Sequence, residues 1–257
     1  MLEGLYAGAV ADALTRSQTV SSANLEQLIS QRSPAIDALT AFQPRANVHI
    51  LAEIKRASPS RGDLAEIAAP SDLGTVYEAA GATGISVLTE GRKFKGSLED
   101  LSSVRSAVAV PLLRKDFIAN EYQLLEARAH GADLALLIVA GLDQETLIRL
   151  KNFTEQLGMT AFIETHDRIE LERALETGSK FIGINARDLT TFETNRNLFG
   201  ELAHHFPSDV IKVAESAVRD AADVHHYRKS GADVVLVGEA LVTGNASSTL
   251  QSFLRNN

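Results

Sequence analysis

Short runs rich in β-branched residues and leucine recur along the chain: VHILAEI (48–54), GISVLTE (84–90), VPLLRKD (110–116), DLALLIVA (133–140), MTAFIET (159–165), KFIGINA (180–186), DVIKVAE (209–215) and DVVLVGE (233–239). Each has the length and composition of a buried strand. The stretches between them carry apolar residues at helical spacing, as in 98–108, 121–130, 144–157, 168–177 and 218–230. Gly-Ala or Gly-Ser precedes every second strand, at Gly81-Ala82, Gly131-Ala132, Gly178-Ser179 and Gly231-Ala232. A left-handed glycine there stops a helix and aims the chain into the next strand, which implies an internal repeat of about 50 residues. Alternating strands and helices force parallel pairing, and eight strands in 257 residues predict a closed (β/α)8 TIM barrel rather than an open doubly wound sheet. A nucleotide-binding open sheet would want G-x-G-x-x-G after its first strand, where this chain has ASPSRG (57–62).

Residues 1–46 precede the first strand and are predicted to form a helical extension, with Leu2, Leu5, Tyr6, Val10 and Leu14 on one stripe. Such an extension either plugs the barrel floor or covers its mouth. The whole of 1–257 is expected to be one barrel domain.

The polar positions inside the strands change the picture. In a barrel, inward side chains come from alternating positions, and the catalytic face lies where strands end. The period of two places Leu113 with Lys115, Phe162 with Glu164, and Val213 with Glu215. Glu53 and Lys55 share a face at the end of the first strand, while even strands offer Asn185 with Arg187, and Gly238. Glu53, Glu164 and Glu215 thus converge with Lys55, Lys115 and Arg187 at one end. A cluster built only for stability is disfavoured, because desolvating charges is costly and apolar packing does as well. Balanced charges would instead hold a protonated lysine beside an ionised carboxylate, the condition for acid and base in one pocket. The loops ESAV (215–218) and GEALVTG (238–244) offer backbone N–H groups where barrels bind phosphate.

Composition narrows the class. With 45% apolar and 23% charged residues the chain reads as an ordinary globular protein, and a net charge of −8 argues against a nucleic-acid partner. No cysteine is present, which excludes disulfides, thiolate metal sites and thiol nucleophiles. No run approaches the roughly 20 apolar residues of a membrane span, and the N-terminus, interrupted by Glu3 and Asp12, does not read as a secretory signal. A cytoplasmic location is expected. His204-His205 and His225-His226 read as solvated, Asp116 and Asp188 as loop or salt-bridge residues. Glu164 and His166 are read as facing opposite ways, which speaks against a metal pair.

The segments AEIKRASPSRG, ISVLTEGRKFKGSL, PLLRKDFI, YQLLEARAHGAD, GINARDLTTFET, VAESAV and ADVVLVGEALV, in this order, resemble the indole-3-glycerol phosphate synthase family from residue 1 to about 250. The resemblance implies a cofactor-free, metal-free enzyme of tryptophan biosynthesis. It would convert 1-(2-carboxyphenylamino)-1-deoxyribulose 5-phosphate to indole-3-glycerol phosphate with loss of carbon dioxide and water. By that analogy Lys115 is the acid of ring closure and Glu164 the base, with Glu53 and Lys55 as rivals or partners in dehydration. Glu215 and Asn185 orient hydroxyls and lysines, Ser58 and Arg187 meet the anthranilate end, and Phe94 and Phe117 wall the aromatic ring. Lys55, Ser216 and the amides near Ala217, Gly238 and Glu239 take the phosphate. The expected partner is this small phosphorylated molecule, with no nucleic acid and no membrane. The chain is expected to be a monomer, open to association with other tryptophan-pathway enzymes.

Two positions depart from the family pattern: Ala217, where glycine is usual, and Lys95, where glutamine or asparagine is usual and an extra charge could aid anion capture. Two other readings compete, a Schiff-base aldolase using Lys115 and a non-catalytic sugar-phosphate-binding barrel. The neighbouring isomerase step of the pathway would need a cysteine.

Overall fold

The computed structural model describes residues 2–188, 191 and 193–255. Residues 189, 190 and 192 of the GINARDLTTFET segment therefore lie outside the described residues. Eight parallel strands close into a barrel: β1 (His49–Ile54), β2 (Gly84–Leu88), β3 (Leu112–Lys115), β4 (Leu134–Ile138), β5 (Thr160–Thr165), β6 (Phe181–Asn185), β7 (Ile211–Glu215) and β8 (Val234–Val237). Each pairs with its neighbour in sequence, and β8 returns to β1 with His49 opposite Val234. All eight predicted strands are present, trimmed by one or two residues at their ends. The four expected helix-stopping glycines have φ of +100° (Gly81), +94° (Gly131), +76° (Gly178) and +94° (Gly231). A Cβ would be strained at each, so the residue type itself sets where the chain turns.

The extension does both jobs that were offered as alternatives. Phe42, fully buried, closes the floor edge-on to His49 and Phe181 at 5.6 and 5.4 Å, and Phe181 stacks edge-on to Phe162 at 5.1 Å. Helix Leu2–Ser17 lies at the other end, where Leu2 and Leu5 line the cavity and the Tyr6 hydroxyl donates to the Ile138 carbonyl at 3.4 Å.

The predicted stripe on that helix needs correction. Tyr6, Gly8, Ala9 and Ala13 are the buried residues, while Val10 and Leu14 are 38% and 62% exposed. Small residues let the helix approach closely. Gly8 packs on the Arg92 side chain, and Tyr6 occupies the space a side chain at Gly141 would need.

Polar bonds then fix the helix to the barrel. Arg16 makes a two-pronged contact with Glu126 at 2.5 and 2.8 Å, and Glu126 lies 3.4 Å from Arg114 on β3. Arg114, entirely buried, donates to Thr89 Oγ1 at 3.0 Å, the Gln123 carbonyl at 2.6 Å and Asp116 Oδ2 at 2.9 Å. Asp116 is thus a salt-bridge residue, as read from the sequence.

Candidate active site

Three odd-numbered strands bring their terminal charges together. Lys115 Nζ lies 2.8 Å from Glu164 Oε2 and 3.2 Å from Glu215 Oε2. Just beyond β1, Lys55 Nζ is 2.6 Å from Glu53 Oε1. A side chain at Gly238, past the end of β8, would collide with the Glu53 carboxylate and crowd the Lys55 ammonium, so glycine leaves room for this pair. Asn185 Nδ2 donates to Glu164 Oε1 at 3.1 Å, while its Oδ1 accepts from Ser216 Oγ at 2.7 Å and the Arg187 amide at 3.0 Å. Those partners fix which way the Asn185 amide points.

The charges are unequal in a useful way. Burial disfavours the Lys115 ammonium, but the carboxylates of Glu164, Glu215 and Glu53 outweigh it and raise its pKa well above the ordinary lysine value. Burial likewise disfavours the Glu164 carboxylate, yet the Lys115 ammonium and the His166 imidazole pull it well below the usual range. Glu215 goes the other way, pushed up to about 8 by burial and then by the Glu164 charge. Two carboxylates sharing one lysine are therefore driven in opposite directions, Glu164 toward the ionised form and Glu215 toward the protonated one. Glu53 Oε2 and Glu215 Oε1 are buried acceptors with no hydrogen bond inside the protein.

Above the ring opens a cavity of about 830 Å³. Every residue given a catalytic, ring-binding or phosphate-binding role by the resemblance lines it: Glu53, Lys55, Ser58, Phe94, Lys115, Phe117, Glu164, Asn185, Arg187, Glu215, Ser216, Ala217, Gly238 and Glu239. Phe94 and Phe117, with ring centres 6.0 Å apart, form an apolar wall with Leu88, Leu136 and Ile138. Glu90 shapes the loop that presents Phe94, its carboxylate accepting the amides of Arg92, Lys93 and Phe94 at 2.9, 2.7 and 2.9 Å.

On the opposite side the chain turns through Ser216 and Ala217, with φ of +68° and +55°. Tyr227 donates its hydroxyl to the Ser216 carbonyl at 3.1 Å, and Asp223 accepts the Arg219 amide at 3.0 Å, so the following helix holds the turn. Alanine in this conformation costs about 1 kcal/mol relative to glycine. Ala217→Gly is accordingly expected to raise stability by about 1 kcal/mol in denaturant titration and to leave or lower the substrate KM. A clear rise in KM would show that the turn meets substrate in some other way.

A family model for indole-3-glycerol phosphate synthase matches residues 2–253. The chain belongs to the indole-3-glycerol phosphate synthase family. An indole-3-glycerol phosphate synthase of Leifsonia xyli subsp. xyli is 56% identical over 98% of this chain and 97% of its own. One of Rhodococcus opacus is 51% identical over 95% and 90%, and one of Mycobacterium ulcerans 50% identical over 94% and 89%. By shape, a solved structure described as "Native KDPGal structure" covers 82% of this chain and 95% of its own, with a TM-score of 0.58 and 16% identity, a likeness of fold alone.

In this member of the indole-3-glycerol phosphate synthase family, one sequence reading needs correction. His166 does not turn away from Glu164: its Nε2 lies 3.2 Å from Glu164 Oε1, though out of line for a hydrogen bond. Positions 164 and 166 are two apart, and residues two apart on extended chain share a face. The signal was in the sequence and was misapplied. Lys95 does not line the cavity; its ammonium sits 2.6 Å from Asp63, and its backbone, at φ +56°, is itself strained.

Proposed function

We propose that this chain catalyses ring closure, decarboxylation and dehydration of 1-(2-carboxyphenylamino)-1-deoxyribulose 5-phosphate to indole-3-glycerol phosphate, a carboxy-lyase step of tryptophan biosynthesis. The observation that carries the reading is one ammonium held between two carboxylates at the bottom of a cavity with an aromatic wall on one side and a strained backbone turn on the other.

The proposed sequence follows from the charges. The aromatic carbon bearing the carboxylate attacks the ribulose carbonyl, and the proton of Lys115 passes to the carbonyl oxygen as negative charge develops there. Carbon dioxide leaves from the attacking carbon, and its bonding pair restores aromaticity. Glu164 then takes a proton from the new five-membered ring while the hydroxyl departs as water, with Lys55, paired to Glu53, supplying the second proton. Substrate hydroxyls would satisfy the unpartnered oxygens of Glu53 and Glu215. Phe94 and Phe117 wall the aromatic ring, Ser58 and Arg187 meet its carboxylate end, and Lys55, Ser216 and the amides around Ala217, Gly238 and Glu239 receive the phosphate. The proposal includes a cytoplasmic location, where a phosphorylated intermediate is retained. Among the described residues no helix is long and apolar enough to cross a membrane.

The same charges disfavour a Schiff base, which needs Lys115 as a neutral amine. A fluorescence assay for indole-3-glycerol phosphate tests the reading, run beside borohydride treatment in the presence of the substrate. Product without a reduced adduct on Lys115 is expected. An adduct would favour the aldolase reading, and ligand binding with no turnover would favour a binding barrel.

A further inference from the structure

His166 and Glu170 form a second, partly buried pair directly behind Glu164. Glu170 Oε2 accepts both the backbone amide and Nδ1 of His166, at 2.8 and 3.0 Å, which turns Nε2 toward Glu164. The His166 side chain is 11% exposed, and Glu170, at the start of helix Arg168–Glu176, is 15% exposed. The other charged or titratable groups facing this pair and Glu164 are Lys115 from β3, Glu215 from β7, the Tyr6 hydroxyl from the N-terminal helix and, through Lys115, Glu53 from β1.

The functional reading leaves a gap that this pair fills. When Lys115 gives its proton to the carbonyl oxygen, Glu164 loses its nearest cation while fully buried. A buried carboxylate with no counter-charge is driven toward its protonated form, and a protonated Glu164 cannot serve as the base that later takes the ring proton. A cation that does not take part in closure has to stay beside Glu164 until the ring proton is ready to be removed.

We propose that His166, oriented by Glu170, is a positioning residue for Glu164 and supplies that persistent cation. The proposal rests on the functional reading above. The fold keeps the imidazole charged: burial opposes its proton, but the contacts to Glu164 and Glu170 push its pKa up to about 10. Removing one of the two carboxylates should bring its titration down toward neutrality.

Glu170→Gln and His166→Asn test this, with kcat and KM measured from pH 6 to 10. For His166→Asn, kcat is expected to fall about tenfold with KM within about twofold, a smaller loss than for the acid–base groups themselves. For Glu170→Gln, the alkaline fall in kcat is expected at lower pH than in the wild type, because His166 now loses its proton sooner. Adding His166→Asn to Glu170→Gln should abolish that limb. Glu170 lies in the first turn of a helix and is partly exposed, so this variant decides the matter even if His166→Asn does not fold. Turnover by the wild type, with both variants matching it in kcat and in pH profile, would overturn this inference alone. A wild type that forms no indole-3-glycerol phosphate would remove the functional reading and this inference with it.

Discussion

Replacing Lys115 by alanine is expected to lower kcat for ring closure about 10²-fold or more, the loss associated with a positioned acid. The proposed step places the growing charge beside this ammonium, whose nearest neighbour, the ionised Glu164 at 2.8 Å, would repel an oxyanion. Without Lys115 the ring would oppose the step it promotes. Glu164 and Glu215 would share a proton between them, so the base would be partly consumed as well. Lys115 bonds to Glu164 and Glu215 rather than to the residues proposed to hold phosphate and the aromatic ring, so KM should change far less than kcat. Product formation followed by indole fluorescence reads both constants. A variant within tenfold of the wild type in kcat would remove Lys115 from the acid role.

The second large effect is on stability and lies one residue away. Arg114→Met is expected to destabilise the barrel by about 3–5 kcal/mol, the usual cost of stripping one partner from a buried ion pair. Its guanidinium is entirely buried and holds four groups, the Asp116 carboxylate among them. Asp116 would keep the Thr89 hydroxyl at 2.5 Å and the Phe117 amide at 2.8 Å, but would lose its ion pair. For a chain of this length the loss corresponds to a melting temperature lower by about 10 °C. The double variant Arg114→Met with Asp116→Asn should recover part of it, because both charges then leave together. An unchanged melting temperature in the single variant would show that Arg114 is tolerated in the core rather than needed there.

The barrel was legible because two independent signals agreed: β-branched runs of strand length, and glycines at the helix ends, each now seen with positive φ. The charged ring was legible for a related reason. Strand residues keep a period of two up to the rim, so the sequence alone points Lys115, Glu164 and Glu215 inward, and all three line the cavity. What failed was local. The N-terminal helix was read by its large apolar residues, whereas close approach to the barrel selects small ones, Gly8, Ala9 and Ala13, and leaves Val10 and Leu14 in solvent. His166 was missed by an error of period rather than for want of a signal. The Arg16–Glu126–Arg114 chain joins positions about 100 residues apart, and no local pattern announces a contact at that range.

That chain has a consequence for how such enzymes can be recombined. One carboxylate, Glu126, is gripped from outside by the leading helix and approached from inside by the strand that ends in Lys115. Grafting a helix from a relative without an arginine at the matching turn would leave Glu126 to Arg114 alone and loosen the end of the strand that carries Lys115. The N-terminal helix is thus one side of a vice whose other jaw is the barrel strand carrying Arg114 and Lys115.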